Sequence, residues 1–179
     1  MKLNIIKENI LVKDVVLIFF FSFLMTISSQ IRLYLFFTPV PVTLQTLVLF
    51  LSIFYLRQKA FFSQFFWILL GIIGVPVFAK GGGLFYLFGP TGGYILGFLS
   101  SCLIFSHFFD IFKRKNFFTF FLLYFLINLW IYLVGAIWLK IYLSVSFLKS
   151  IILGILPFIP GDIFKTFLAS LFSISLKEK

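Results

Sequence analysis

The chain alternates between long apolar stretches and short polar or glycine-rich ones. Six of the apolar stretches have the length and hydropathy of membrane-crossing helices. Their predicted bounds, set to within a few residues, are 15–36, 42–56, 61–78, 93–112, 117–139 and 148–176, the last interrupted by Pro157 and Pro160. The pattern predicts an all-α membrane protein, a six-helix bundle forming a single domain over residues 1–179, with residues 1–14 as an N-terminal segment.

Composition supports a membrane location. Hydrophobic residues make up 62% of the chain, charged residues 11%, and the mean hydropathy is +1.17. Because the chain is so apolar, it has too little polar surface to dissolve as a monomer. We therefore expect it to lie in the lipid bilayer.

The net charge of +10 does not indicate nucleic acid binding, because the basic residues are scattered between apolar stretches rather than gathered on one face. Their positions instead indicate how the chain is oriented in the membrane. Six helices place both termini on one side, and the side richer in basic residues is expected to be cytoplasmic. We therefore predict a multi-pass protein of the cell membrane with both termini cytoplasmic. That side carries Lys2, Lys7, Lys13, Arg57, Lys59, Lys113, Arg114, Lys115, Lys177 and Lys179, and the other Arg32, Lys80, Lys140, Lys149 and Lys165.

Two loops on the predicted non-cytoplasmic side have unusual sequences. Residues 38–45 read TPVPVTLQ, and the alternating prolines favour an extended backbone. Residues 81–94 are rich in glycine yet apolar, and irregular backbone at membrane depth survives where it lines a cavity or is buried in protein. We expect the second loop to fold over the bundle as a lid; a plain surface loop is the alternative.

Asp162 and Lys165 lie one helical turn apart within an apolar C-terminal stretch. Ionisable groups at membrane depth are costly, so this pair predicts a polar pocket wall near the start of the last helix. The structural alternative is a helix cap with a lysine that reaches the membrane surface.

Other reactive chemistry is sparse. His107 and Cys102 are the single histidine and cysteine of the chain, which argues against a zinc site or a nucleophile with its base. No phosphate-binding glycine motif is present, and no cofactor is expected. Gly93, Gly97 and Ser101 recur every fourth residue, a spacing that lets another helix approach closely.

Four motifs in this order resemble the BioY family. They are residues 38–47 (TPVPVTLQTL), 74–78 (GVPVF), 89–98 (GPTGGYILGF) and 157–165 (PFIPGDIFK). The family consists of biotin-specific S components of energy-coupling-factor (ECF) transporters, six-helix membrane proteins of about this size. The resemblance implies high-affinity biotin uptake, with no enzymatic activity, and a site comprising Asp162, Lys165, Thr91, Gly92, Gly93, Tyr94, Gln45 and, as a cation for the biotin carboxylate, Lys80.

The resemblance also implies partners. In the family the first helix packs against the transmembrane coupling subunit through small residues, and Ser22 and Thr26 are the corresponding positions here. The bulky phenylalanines around them would hinder close packing of the two helices, so dependence on the coupling subunit and its ATPase pair stays open. A solitary carrier for biotin or another small vitamin is the main alternative, and a membrane enzyme or assembly factor is a further one.

Overall fold

The structure, a computed structural model, describes residues 12–111 and 116–177 and is mostly helical. The basic residues 2, 7, 113–115 and 179, on which the topology prediction rests in part, lie outside this range. A 3-10 turn, Arg57–Lys59, joins the helices Gln45–Leu56 and Ala60–Ile72. The helices are α1 Val12–Gln30, α2 Gln45–Leu56, α3 Ala60–Ile72, α4 Leu84–Leu87, α5 Gly92–Phe105, α6 Phe108–Ile111, α7 Phe117–Leu143, α8 Phe147–Gly154 and α9 Ile159–Lys177.

The first loop contains a short β-ribbon that the all-α prediction missed. Helix α1 ends at Gln30 rather than at residue 36, and Arg32–Leu33 (β1) pairs antiparallel with Val42–Thr43 (β2). The error arose because residues 31–37 are apolar apart from Arg32, whereas Arg32 and Leu33 pair with the end of the proline-rich segment instead of continuing the helix.

The third predicted helix is shorter than expected. Helix α3 ends at Ile72 instead of residue 78, because Gly74 adopts a φ of +101° and Pro76 follows two residues later. A residue with a side chain rarely adopts this φ, so the glycine marks the point where the chain leaves the helix. Residues 73–91 then form the second irregular loop.

The last predicted span is divided into α8 and α9, so the described residues contain seven helices of eight residues or more rather than six. The break falls where the prolines predicted it: Pro157 lies between the helices and Pro160 in the first turn of α9. Three helices, α1, α7 and α9, are each long and apolar enough to cross a membrane. The chain is a multi-pass membrane protein.

Helix α7, the longest helix, packs against α5, α8 and α9. Its contact with α5 is close because glycine faces it: a Cβ on Gly93 would lie 2.2 Å from the Cβ of Trp138, and one on Gly97 would lie 3.2 Å from the Cα of Ile131. The small-residue stripe is therefore a packing surface, as predicted. Cys102, fully buried on α5, is a core residue.

Candidate binding site

A cavity lies at the end of the bundle that carries the two irregular loops. The empty space between its walls, including open solvent at the mouth, is about 590 Å³. Most of the wall is apolar or aromatic, and a few polar groups converge on it, as is typical of such sites. The polar lining residues are Thr43, Gln45, Thr46, Thr91, Asp162 and Lys165, and the aromatic ones are Trp67, Phe78, Tyr86, Tyr94, Phe98, Tyr132 and Phe158.

Asp162 and Lys165 form an ion pair in the wall of this cavity. They are only 4% and 5% exposed. The Thr46 hydroxyl donates to Oδ1 of Asp162 at 3.0 Å, and the Tyr132 hydroxyl donates to Oδ2 at 2.6 Å. The Lys165 ammonium also donates to the Thr43 carbonyl at 2.8 Å. Burial of this pair is tolerated because each charge has several polar partners.

The network retains unused hydrogen-bonding capacity. A carboxylate oxygen accepts two hydrogen bonds, so Oδ2 of Asp162, which receives only the Tyr132 hydroxyl, has room for another donor. An ammonium has three N–H groups, and Lys165 uses two on Asp162 and Thr43. The site therefore offers an acceptor beside a donor, which complements a ligand that presents an N–H group next to a carbonyl, such as a cyclic urea.

Local sequence explains where these side chains lie. Helix α9 begins at Ile159, and Asp162 stands in its first turn, where a negative charge is favourable. Lys165 follows three residues later and returns to the same face. The Asp162 N–H donates to the Phe158 carbonyl at 2.8 Å, which fixes the first turn.

Helices α7 and α9 are joined by three side-chain hydrogen bonds, which we call the polar seam. Tyr132 bonds to Asp162 in the cavity wall, Asn128 donates to Thr166 at 2.9 Å, and the Tyr124 hydroxyl lies 2.6 Å from that of Ser173. The three α7 residues are spaced by four, so they share one face of the helix. The seam fixes the register of α9 against α7 and hence the position of the ion pair.

The second irregular loop is held in place by contacts among three aromatic rings, of which Trp67 and Phe78 are buried and Tyr86 is half-buried. Phe78 packs edge-on against Trp67 at 5.0 Å between ring centres and stacks on Tyr86 at 4.8 Å. The Ser29 hydroxyl and the Trp67 indole both donate to the Val77 carbonyl, at 2.8 and 3.2 Å. This loop closes one side of the cavity through Ala79, Tyr86 and Thr91, whereas its opening as a lid stays a prediction.

Five of the residues that the sequence predicted for the site line the cavity: Asp162, Lys165, Thr91, Tyr94 and Gln45. Tyr94 is held by a hydrogen bond from its hydroxyl to the Gly154 carbonyl at 2.6 Å. Gln45 accepts a hydrogen bond from the Thr43 hydroxyl at 3.0 Å. The structure therefore brings together residues from α2, α5, α9 and the loop before α5.

The three other predicted residues lie behind or beside the cavity wall. Gly92 and Gly93 face packed atoms: a Cβ on Gly92 would lie 1.8 Å from the Leu87 carbonyl oxygen, and one on Gly93 would collide with Trp138. Lys80 is exposed, and its ammonium lies 5.3 Å from the centre of the Tyr34 ring. Direct contact of these three with a ligand stays a prediction.

The predicted coupling residues have different surroundings. Ser22 is 2% exposed, and its hydroxyl donates to the carbonyls of Ile18 and Ser63, so it faces α3 inside the bundle. Thr26 is half-buried and donates to the Ser22 carbonyl at 3.2 Å. The exposed residues beside them on α1 include Phe19 and Phe23.

His107 has a structural partner, because its Nδ1 lies 2.8 Å from the Gln58 amide nitrogen. The side chain of Asp110, three residues further along the chain, is outside the described part of the structure. No group of three or more histidine, cysteine or carboxylate side chains that could hold a metal ion occurs among the described residues.

Sequence reasoning missed two residues that bond Asp162, namely Tyr132 and Thr46. Thr46 was within a recognised motif but was not assigned to the site. The sequence does contain a signal for Tyr132, because Tyr124, Asn128 and Tyr132 recur every fourth residue in a largely apolar helix. A polar stripe on a membrane-spanning helix predicts a polar partner on the facing helix.

Comparison with known proteins identifies the family of this fold. The model of the BioY family matches residues 2–179. A biotin transporter BioY2 of Lactococcus lactis is 37% identical over 139 residues, which cover 76% of each chain. A probable biotin transporter BioY of Pyrococcus horikoshii is 37% identical over 155 residues, covering 86% of this chain and 89% of that one.

A solved structure has the same fold. It is the S component for biotin from an ECF-type ABC transporter, and it matches with a TM-score of 0.86 at 27% identity, covering 94% of this chain and 92% of that one. The likeness extends over nearly the whole of both chains. The resemblance drawn from the four motifs is thereby confirmed, and the chain belongs to the BioY family.

Proposed function

We propose that this chain is the biotin-binding S component of an ECF-type transporter and takes up biotin across the cell membrane. The observation that carries the proposal is the Asp162 and Lys165 pair at the wall of an otherwise apolar cavity. Family membership, and relatives named as biotin transporters, support the choice of ligand. No step of bond making or breaking is involved, in keeping with relatives named as transporters rather than enzymes.

The chemistry of biotin suits this cavity. Its ureido ring presents N–H donors and a carbonyl acceptor, which match Oδ2 of Asp162 and the spare N–H of Lys165. Its sulfur-containing ring is apolar and suits the aromatic wall, including Trp67 and Phe98. The ureido end is thus bound deep in the cavity, and the valerate chain extends towards the mouth.

We further propose that the cavity opens on the non-cytoplasmic side, that both termini are cytoplasmic, and that α8 and α9 act as one span of a six-span bundle. The distribution of basic residues supports this orientation. Biotin then enters the cavity from outside the cell.

Energy for uptake is proposed to come from a transmembrane coupling subunit with an ATPase pair, because the sequence has no nucleotide-binding loop of its own. Contact through α1 is proposed to include Thr26, which lies beside the exposed Phe23. Ser22 would contribute only if α1 moved relative to α3, since its hydroxyl is now engaged with the Ser63 carbonyl.

Uptake into proteoliposomes tests the function and separates the alternatives. With this protein alone and labelled biotin, we expect saturable binding but no accumulation of free biotin above the external concentration. Unlabelled biotin should displace the label, and unrelated vitamins should not. Accumulation driven by an imposed proton or sodium gradient would identify a secondary transporter, and displacement by another vitamin in preference to biotin would contradict the ligand.

A further inference from the structure

Four consecutive backbone carbonyls of the second irregular loop, those of residues 76–79, accept hydrogen bonds from side chains at the end of α1 or just after it. We call this arrangement the carbonyl clamp. A segment outside helices and sheets must find partners for its carbonyls elsewhere, and here one short stretch of chain supplies them. The donors are Ser29, Gln30, Arg32 and Tyr34.

The last two residues of α1 make the central contacts of the clamp. The Ser29 hydroxyl donates to the Val77 carbonyl at 2.8 Å. The Gln30 amide nitrogen lies 3.3 Å from the carbonyl oxygens of both Pro76 and Phe78, and it also donates to the Ser29 hydroxyl at 2.9 Å. An amide NH₂ group has two N–H bonds, so Gln30 shares them among these acceptors and ties neighbouring carbonyls together.

The clamp holds a part of the cavity wall. Phe78 and Ala79 both line the cavity, and they are 1% and 4% exposed. Neither Ser29 nor Gln30 belongs to the cavity lining, so each would act on a ligand only through this wall. If the clamp opened, the backbone that carries Phe78 and Ala79 would be free to move away from the ligand.

On its other side the clamp is part of α1, which packs against α2 and α3. The Ser29 hydroxyl is shared with the Thr26 carbonyl, one turn earlier, at 2.7 Å. Thr26 is the residue through which α1 is proposed to contact a coupling subunit. The clamp is therefore a hydrogen-bonded link from that contact to the wall of the cavity.

We propose that Ser29 and Gln30 are positioning residues that couple the end of α1 to the ligand. They hold the wall formed by Phe78 and Ala79 against the ligand, and a displacement of α1 loosens it. The inference rests on the proposed function, which supplies biotin as the ligand and α1 as the helix that a partner displaces. Coupling free energies are reciprocal, so a ligand that closes the wall also stabilises the end of α1, and this can be measured without a partner.

The test uses the purified full chain and labelled biotin. Ser29→Ala removes the clamp hydroxyl, and Ser28→Ala is its control, because the Ser28 hydroxyl is also buried but donates to a carbonyl of α1 itself, at 2.9 Å. Gln30→Met keeps the length of the side chain without its donors, and Gln30→Glu keeps the acceptor that Arg32 uses. Gln58→Met, in the turn at the far end of α2, is the control for loss of an amide.

The first measurement is the release of labelled biotin after addition of unlabelled ligand. Release should be about threefold faster in Ser29→Ala, where the Val77 carbonyl keeps a second donor, and about tenfold faster in both Gln30 variants, with nearly unchanged association rates. Ser28→Ala and Gln58→Met should release biotin as the wild type does. Equal release rates in the clamp variants and their controls would overturn the proposal.

The second measurement is hydrogen exchange of the backbone amides of residues 26–30, with and without saturating biotin. Residues 18–22 of the same helix are the reference, because they report any stabilisation of the whole bundle by the ligand. Relative to them, biotin should slow exchange at the end of α1 by about tenfold in the wild type and by about threefold or less in the Gln30 variants.

A clamp that only supports the fold would not make exchange at the end of α1 respond to the ligand. Exchange that ignores biotin in the wild type, or that responds equally in Gln30→Met, would overturn the proposal while leaving the proposed function intact. A folded wild type that does not bind biotin would instead refute the proposed function.

Discussion

The ion pair of Asp162 and Lys165, which we call the wall pair, and the exposed Lys80 place similar lysine side chains in opposite settings. Lys165 is 5% exposed and is bonded to a carboxylate and a carbonyl, with Tyr132 donating to the same carboxylate. Lys80 is exposed and lies over the ring of Tyr34. Since removal of one partner from a buried pair strands the other charge, whereas an exposed charge is screened by water, the same mutation should have very different effects at the two places.

The largest effect is expected at the buried lysine. Lys165→Ala strands the Asp162 carboxylate, a change that typically costs 3 to 5 kcal/mol, so biotin affinity should fall by about a hundredfold or more. Lys149→Ala is the control and should bind normally. Equal affinity in the wild type and Lys165→Ala, measured by equilibrium binding, would mean that the buried pair does not contact the ligand.

A packing change should affect folding rather than the ligand. Gly93→Val should destabilise the bundle by about 1 to 3 kcal/mol, because its side chain would collide with Trp138 on α7. The measurement is the thermal unfolding midpoint in detergent, with Gly161→Ala, whose Cβ would meet only atoms at 3.9 Å, as the control. If the variant had the midpoint of the wild type but took up no biotin, Gly93 would instead belong to the predicted lid.

The polar seam allows the contribution of the Asp162 and Lys165 pair to ligand affinity to be distinguished from the contribution of helix packing. Tyr132→Phe removes one donor to Asp162 but leaves Thr46 and Lys165 in place, so affinity for biotin should fall about tenfold. Tyr124→Phe removes the equivalent hydroxyl lower on the same helix, where it bonds to Ser173, and should leave affinity unchanged. If both variants weakened binding equally, the seam would act through helix packing and not through the carboxylate.

The smallest effect is expected from salt. Exposed charges are screened at ionic strengths near 0.15 M and above, whereas the buried pair is largely protected. Raising the salt concentration should therefore weaken biotin binding by at most about two- to threefold, through exposed charges such as Lys80. A loss of about tenfold or more, followed by equilibrium titration, would contradict the view that the wall pair contributes most of the affinity.

The sequence predicted the parts of the site that depend on local pattern. Asp162 and Lys165 were identifiable because charge is conspicuous in an apolar stretch, and the helix break because proline limits the backbone. The β-ribbon was not predictable from periodicity, since residues 31–37 are apolar apart from Arg32, and the pairing of residues 32–33 with 42–43 depends on the fold. The burial of Ser22 was missed for the same reason: spacing alone does not say which side of α1 faces α3.

Pairs that form across helices were equally beyond the sequence. Tyr132 and Asp162 are 30 residues apart, and Arg32 and Ala79 are 47 apart. Their contacts follow from helix packing and loop conformation, which no local signal specifies. A polar stripe on α7 shows that a partner is needed without showing which helix supplies it.

Titration calorimetry of biotin into the purified wild type and Asp162→Asn tests the central claim most directly. The substitution keeps the size of the side chain but removes the charge that accepts from Thr46, Tyr132 and Lys165. We predict tight one-to-one binding by the wild type and at least about a hundredfold weaker binding by the folded variant. Equal affinities in two equally folded proteins would contradict the assignment of Asp162 to the ureido end of biotin.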